Sequence, residues 1–152
     1  MRAVVQRVHK AHITIDHEIE RETGEGLVVF LGVMEGDQKE QADYLAKKIS
    51  GLRIFSDADD KLNLSLNDIG GDIMIVSNFT LSADCRKGNR PSFINAAKGE
   101  AAKELYDYFV SLIKASGCAK KIETGEFGAH MDVDVFNNGP ITLMLDTNVV
   151  QK

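Results

Sequence analysis

The sequence of 152 residues has no tryptophan, two cysteines and two prolines. Cys85 and Cys118 are too few for a disulfide framework, and no Cys-x-x-Cys or His-x-x-x-His spacing indicates a metal site. No apolar run approaches the length that crosses a bilayer, and the opening stretch "MRAVVQRVHK" lacks the long apolar core of a signal peptide. We therefore expect a cytoplasmic protein with free thiols, no metal and no cofactor.

Negative charge exceeds positive charge, and the formal net charge is −5. Such a chain is not expected to wrap a long stretch of nucleic acid, because that kind of binding requires many neutralised phosphates. The basic residues nevertheless cluster in two stretches. One contains Arg86, Lys87, Arg90 and Lys98, and the other contains Arg2, Arg7 and Lys10. These clusters are either a solvated surface of interspersed charges or a small contact for phosphate.

Composition and pattern predict one mixed α/β domain over residues 1–152. Hydrophobic residues make up 43% of the chain, which suffices for a sizeable core, and no linker or repeat divides it. Strands are predicted at 2–9, 11–15, 20–23, 26–33, 52–56, 72–77, 120–125, 130–136 and 141–147. The unbroken apolar run "GLVVFLGV" at 26–33 is expected to be a central strand, buried on both faces.

Two main helices are predicted by apolar residues at helical spacing. The first begins at a capping box of Asp37 and Glu40. Its buried face consists of Ala42, Leu45, Ala46 and Ile49. The second covers residues 92–116 and ends at Gly117. Its buried face consists of Ile94, Ala97, Ala101, Leu105, Phe109, Leu112 and Ile113. The polar stretch between 57 and 71 is predicted to be a loop without the ligand spacing of an EF-hand.

Candidate nucleophiles follow the buried strand at 72–77, where a strand leads into a loop. They are Ser77, Thr80 and Cys85. A hydroxyl nucleophile needs a neighbouring base, and no histidine of the chain falls into a triad motif. Ser77 and Thr80 therefore also fit a simpler role as hydrogen-bonding groups at a strand end. Phe79 is either a core residue or a platform on which a base stacks.

The dipeptide Gly139-Pro140 interrupts an otherwise regular strand pattern, "MDVDVF" before it and "ITLML" after it. Proline cannot donate a ladder hydrogen bond, and glycine weakens a strand. The local pattern permits a four-residue hairpin turn. It also permits a specified tight turn with a cis bond, and the two interpretations remain open at this level.

Four motifs, in order, resemble those of the D-aminoacyl-tRNA deacylase family. They are "SNFTL" at 77–81, "RKGNRPSF" at 86–93, "FGAHM" at 127–131 and "NNGPIT" at 137–142. The opening "MRAVVQRV" and the segment "LNLSL" agree with this resemblance, which extends from residue 1 to about residue 147. The resemblance implies a compact, barrel-like α/β domain that works as a homodimer. It also implies an editing hydrolase that cleaves the ester joining a D-amino acid, or glycine, to the 3′-terminal adenosine of tRNA.

The resemblance also implies a role for each motif. Ser77, Asn78, Phe79 and Thr80 would line the catalytic pocket. Gly139 and Pro140, with Asn137 and Thr142, would form a chiral filter in which a cis Gly-Pro bond reaches into the partner's pocket. Phe127, Gly128, Ala129 and Met131 would hold the terminal adenosine, and Arg86, Lys87 and Arg90 would approach phosphate. The family usually has Gln where this chain has Asn78, so a shorter arm presents the amide.

In this family the 2′-hydroxyl of the terminal adenosine assists attack on the ester, which would explain why no protein base is evident. Thr80 as a covalent nucleophile is then the weaker mechanism. Two other functions remain in view. One is the related editing module of some threonyl-tRNA synthetases, which removes L-serine and lacks the Gly-Pro filter. The other is a non-catalytic adenosine-end binder or structural dimer.

Overall fold

The computed structural model describes residues 1–148. The strands are β1 (Arg2–Ile15), β2 (Ile19–Thr23), β3 (Gly26–Gly32), β4 (Phe55–Ser56), β5 (Leu62–Leu64), β6 (Asp72–Ser77), β7 (Ile122–Thr124) and β8 (Met131–Asp146). The α-helices are α1 (Lys39–Ser50), α2 (Leu66–Ile69) and α3 (Gly99–Ser116), and a 3-10 turn covers Phe79–Ser82. None of the helices in this part of the chain is long and apolar enough to cross a membrane.

The sheet is built around β1, which pairs with β8 along one edge and with both β3 and β2 along the other. The remaining order is β3-β6-β7, and these neighbours are parallel. Strands β4 and β5 form a separate antiparallel pair. The result is a curved, barrel-like α/β fold with mostly antiparallel pairing and two main helices, as expected.

The central strands are buried on both faces, which confirms the prediction for residues 26–33. Leu27, Val29 and Leu31 face the cluster that α1 and α3 complete, whereas Val28 faces a second cluster with Met74. On α1 the predicted face is the observed one: Ala42, Leu45, Ala46 and Ile49 are buried. Burial of this apolar surface, at about 25 cal/mol per Å², is the main favourable term of folding.

The predicted start and face of the second helix are partly wrong. Helix α3 begins at Gly99 rather than at 92, and Ile94 is 75% exposed. The preceding segment is extended along the end of β3: Met34 and Ala96 form a bridge, and the N–H of Ala97 donates to the carbonyl of Val33. The buried face of α3 is therefore Ala102, Tyr106, Phe109, Val110 and Ile113. The helix ends, as predicted, at a left-handed Gly117.

Asp37 does not cap α1, so the predicted capping box is shifted by one residue. Gln38 is the N-cap, and its N–H donates to Oε1 of Gln41 over 2.8 Å. Asp37 instead accepts from the N-terminal ammonium of Met1 over 2.6 Å and from the N–H of Met34 over 2.6 Å. Met1 and Asp37 are both buried, so this ion pair joins the start of β1 to the end of β3 away from water.

Other boundaries also differ from the predictions. The two strands predicted at 2–9 and 11–15 are one strand, β1, with a register irregularity between Val8 and Lys10. Of residues 52–56, only Phe55–Ser56 is a strand. The predicted loop at 57–71 contains β5 and the short helix α2, which Ser65 caps.

Candidate active site

The carboxyl end of β6 leads into the 3-10 turn, and Asn78 fixes the geometry of that junction. The N–H of Asn78 donates to the carbonyl of Leu31 on β3 over 2.8 Å. Its side-chain Oδ1 accepts from the N–H of Thr80 over 3.0 Å and from the Thr80 hydroxyl over 2.5 Å. The hydroxyl proton of Thr80 is therefore committed to an amide oxygen. Thr80 is a hydrogen-bonding group at a strand end, one of the two roles that the sequence permits.

A cleft of about 220 Å³ opens beside this turn. Residues 77–79 line it together with Phe127, Gly128, Ala129 and Met131. The motifs around 77–81 and 127–131, distant in sequence, thus share one cleft. Phe79 is not the core residue that one interpretation predicted: it is 58% exposed and packs edge-on against Phe93, with ring centroids 5.1 Å apart.

The segment before β8 is held against β6 and α3 by contacts that the sequence did not reveal. The carbonyl of Ile75 accepts from the N–H of Gly125 and from the hydroxyl of Tyr106, each over 2.9 Å. The ring of Tyr106 lies 5.9 Å from that of Phe127. Burial raises the pKa of Tyr106, so its hydroxyl remains a donor.

Arg21 of β2 holds the same segment from the other side. Its guanidinium donates to the carbonyl of Thr124 over 2.5 Å and pairs with Glu126 over 3.1 Å. The sequence around Arg21 indicates a strand and nothing more, because the partners of Arg21 lie a hundred residues away. For Tyr106 the sequence gives a weak indication of burial, since Tyr106 is three residues before the buried Phe109 on α3.

Arg86, Lys87 and Arg90 lie in one exposed loop that follows the 3-10 turn, and a bridge between Asp84 and Ser92 closes the loop. The carboxylate of Asp84 accepts from Nε of Arg86 over 2.9 Å and from Nη2 over 2.6 Å. This pairing holds the pKa of Asp84 well below its usual range. Arg86 is therefore largely neutralised locally, whereas Lys87 and Arg90 extend into solvent. Cys85 is exposed in the same loop and does not line the cleft.

Gly139-Pro140 lies in a bulge of β8, and not in a hairpin turn. Gln6 pairs with Thr142 and Val8 with Asn137, so residues 138–141 are opposite a single residue, Arg7. Because both flanks pair with β1 and not with each other, the hairpin interpretation is wrong. The bond is cis, as the family resemblance implies.

The bulge is exposed at its tip and braced at its base. Asn137 donates from Nδ2 to the carbonyls of Arg7 and Ile141 over 2.8 and 3.0 Å, and its Oδ1 accepts from the Thr142 hydroxyl over 3.1 Å. Arg7 donates to the backbone and side-chain oxygens of Asn138, each over 3.3 Å. Arg7 is thus a support for the bulge and not part of a free basic patch.

Within one chain the bulge does not line the cleft. Of residues 137–142 in the described chain, none is among those that surround the cleft. The bulge lies opposite Arg7 of β1, whereas Met131 of the cleft lies opposite Ile15. Two of the four motifs therefore meet in the described chain, the basic loop adjoins them, and the Gly-Pro motif lies outside the cleft.

Comparison with known proteins identifies the family to which this chain belongs. The family model of D-Tyr-tRNA(Tyr) deacylase matches residues 4–146. The chain belongs to the D-Tyr-tRNA(Tyr) deacylase family. It is 51% identical over 150 residues to the D-aminoacyl-tRNA deacylase of Caldicellulosiruptor saccharolyticus, covering 99% of both chains. It is 52% identical over 147 residues to that of Koribacter versatilis, covering 97% of both.

Solved structures share the deacylase fold. A c-Myc DNA unwinding element binding protein superposes with a TM-score of 0.90 at 36% identity, over 97% of this chain and 99% of that one. A probable eukaryotic D-amino acid tRNA deacylase superposes with a TM-score of 0.83 over 95% of this chain and 97% of that one. At 17% identity, the second likeness shows the fold alone.

Proposed function

We propose that this protein hydrolyses the ester bond between a D-amino acid and the 3′-terminal adenosine of tRNA, releasing the free amino acid and the tRNA in the cytoplasm. The observation that carries the proposal is the cleft that residues 77–79 line together with Phe127, Gly128, Ala129 and Met131. Membership of the D-Tyr-tRNA(Tyr) deacylase family supports the reaction type.

Different residues of the cleft bind the adenine and the ester of the substrate. Phe127 offers an aromatic face for the adenine, and Met131 offers an apolar one. The ester then lies against the 3-10 turn. Phe79 is the first residue of that turn, so its N–H has no intrahelical acceptor and is a donor for the oxyanion. Side chains of residues 77–79 hold the ester in position.

The contacts of Thr80 favour a substrate-assisted attack over a covalent one. A nucleophilic hydroxyl needs a base to take its proton, and the partner of the Thr80 hydroxyl is the amide oxygen of Asn78, which is a poor base. The 2′-hydroxyl of the terminal adenosine then assists water, and the protein contributes position and oxyanion stabilisation.

Chirality is enforced by Gly139-Pro140 of a second subunit in a homodimer. Gly139 and Pro140 are not among the residues that line the cleft of their own chain, and both are exposed, so they are available to the cleft of a second subunit. The exposed tip and the braced base of the bulge form a rigid backbone wall. A wall of this kind rejects an L side chain sterically and accepts D side chains and glycine. Asn137 and Thr142 hold the backbone of the bulge in place and do not contact the substrate.

The acidic chain binds only the acceptor end of the tRNA. Lys87 and Arg90, with a partly neutralised Arg86, supply the cationic contacts to phosphate. A short cationic loop agrees with the net charge of −5. No metal or cofactor takes part in the proposed hydrolysis.

The test is deacylation of matched D-Tyr-, D-Asp-, Gly- and L-Tyr-tRNA by the purified protein. We expect rapid cleavage of the first three and sparing of the fourth. Cleavage of L-Tyr-tRNA as fast as D-Tyr-tRNA would refute the chiral filter. Stoichiometric binding of D-Tyr-tRNA without turnover would support the non-catalytic adenosine-end binder instead. Selective cleavage of an L-seryl ester would support the synthetase-type editing module.

A further inference from the structure

His17, His130 and Asp132 come together on the surface at the end of the β1–β2 hairpin. One potential ligand atom from each lies within 4.8 Å of those from the other two. Nδ1 of His17 is 3.8 Å from one oxygen of Asp132, and Nε2 of His130 is 4.0 Å from the other. We propose that these three side chains form a binding site for a divalent transition-metal ion of the Zn²⁺ type.

The backbone holds two of the ligands together. Asp16 and His17 form the turn between β1 and β2, with positive φ angles of 49° and 63°. The N–H of Asp16 donates to the carbonyl of His130 over 2.9 Å, and Oδ1 of Asp16 accepts from the N–H of His130 over 3.0 Å. This reciprocal pair fixes the turn against the start of β8. The two imidazole rings are consequently 5.0 Å apart.

The donor set suits Zn²⁺. Imidazole nitrogen and carboxylate oxygen are both ordinary zinc ligands at about 2.0–2.2 Å, and a tetrahedral ion then separates its ligand atoms by about 3.3 Å. The three side chains are 75%, 61% and 66% exposed for His17, His130 and Asp132, so rotation about their side-chain bonds closes the remaining gap. Three protein ligands leave the fourth position to water.

A second group of imidazole and carboxylate side chains lies on the same surface. Asp134 follows Asp132 on the same face of β8, and its carboxylate lies 3.5 Å from Nδ1 of His12. Nε2 of the same ring lies 3.9 Å from the carboxylate of Glu20. This second group has one imidazole between two carboxylates, whereas the proposed site has two imidazoles and one carboxylate. His12 is therefore a matched control: an imidazole on the same surface, outside the donor set.

The ion would have a structural role and would not take part in catalysis. His130 and Asp132 flank Met131, and alternate residues of a strand point to opposite faces. Met131 lines the cleft, so its two neighbours point away from it. A bound ion joins the β1–β2 turn to the segment from which the cleft is built. The proposed site does not depend on the proposed hydrolysis.

The test uses the untagged, full-length protein, stripped with a chelator and titrated with Zn²⁺ against a chromophoric competitor. We expect one ion per chain with a dissociation constant below about 10 μM. His17→Ala and Asp132→Asn should each weaken binding at least about tenfold. His12→Ala should bind as the wild type does, and Co²⁺ in place of Zn²⁺ should give visible absorption that His17→Ala loses.

Three results would overturn the proposal. One is the lack of stoichiometric binding below about 10 μM. Another is a loss of less than tenfold in either ligand variant. The third is an equal loss in His12→Ala, which would show that the surface binds zinc without a defined site. Circular dichroism of each variant, all of them at exposed positions, verifies that the fold is retained.

Discussion

The amide oxygen of Asn78 accepts both the hydroxyl and the backbone N–H of Thr80, over 2.5 and 3.0 Å. One side chain therefore caps the 3-10 turn and orients the hydroxyl beside the cleft. Where the motif resemblance implies Gln, this chain makes the connection through the shorter side chain of Asn78. The cap is local, so its loss should affect the cleft more than the global fold.

Asn78→Ala should lower kcat/KM for D-Tyr-tRNA by on the order of tenfold and stability by about 1 kcal/mol, because the turn loses its cap. The control is Asn67→Ala, at an exposed position of α2. Deacylation rates and urea unfolding curves of both variants measure the effects. Unchanged kinetics in Asn78→Ala would show that the cap has no role in the site.

Thr80→Ala should slow turnover without abolishing it, whereas Thr80→Ser, which keeps the hydroxyl, should remain close to wild type. A D-Tyr-tRNA analogue that carries the amino acid on a 2′-deoxyadenosine should react at least about a hundredfold more slowly, because the assisting hydroxyl is gone. Single-turnover kinetics separate the effects. Accumulation of an acyl-Thr80 species on the wild type would contradict substrate assistance.

Two variants should complement each other if the bulge acts in the partner's cleft. Each alone is expected to lose cleavage of D-Tyr-tRNA, because the complete pocket needs both an intact cleft and an intact wall. Phe127→Ala damages the cleft, and Gly139→Val damages the bulge, where an added Cβ would lie 2.9 Å from the N of Ile141 at a φ of 120°. A mixed dimer combines one intact cleft with one intact bulge. After subunit exchange, an equal mixture should recover about a quarter of wild-type activity, since half of the dimers have one working site.

The same mixture distinguishes a bulge that acts in the partner's cleft from one that acts in the cleft of its own chain. If the bulge served its own subunit, every chain in the mixed dimer would carry one defect and no activity would return. Sedimentation of each variant shows whether the dimer itself forms. A fully active monomer of the wild type would contradict the proposed homodimer.

Asp84→Asn should tighten tRNA binding and make its salt dependence steeper, because Arg86 loses its neutralising partner. One further phosphate contact adds about 0.7–0.9 to the slope of log K against log salt. The lowered pKa of Asp84 keeps its carboxylate ionised when the pH falls to 5, so the wild-type slope should not change over that range. Filter binding at several salt concentrations tests both statements, with Asp107→Asn on α3 as the control. A slope unaffected by Asp84→Asn would remove Arg86 from the phosphate contacts.

Asp37→Asn should destabilise the protein by about 3 kcal/mol, because it leaves the buried ammonium of Met1 without its counter-charge. The exposed pair of Lys103 and Asp107 provides the comparison, where Asp107→Asn should cost less than about 0.5 kcal/mol. Urea denaturation measures both. Equal losses in the two variants would show that burial of the Met1–Asp37 pair has no energetic consequence.

The central strands and α1 could be predicted because their signals are local: an unbroken apolar run, or apolar residues at helical spacing. The start of α3 could not, since the pairing of Ala96 with Met34 excludes helix from a segment whose own sequence allows it. The geometry of Gly139-Pro140 depends in the same way on β1, which pairs with both flanks. Motif resemblance named the candidate site residues, but it did not identify Tyr106 or Arg21, whose roles arise from distant partners.

The carbonyl of Ile75 has two lone pairs, and one is used by Gly125 and the other by Tyr106. A single oxygen atom thus sets the spacing of three elements: β6, α3 and the segment that enters the cleft. Tyr106 also lies beside Phe127, with ring centroids 5.9 Å apart. A displacement of α3 would therefore be transmitted through one side chain both to the end of β6 and to an aromatic residue of the cleft.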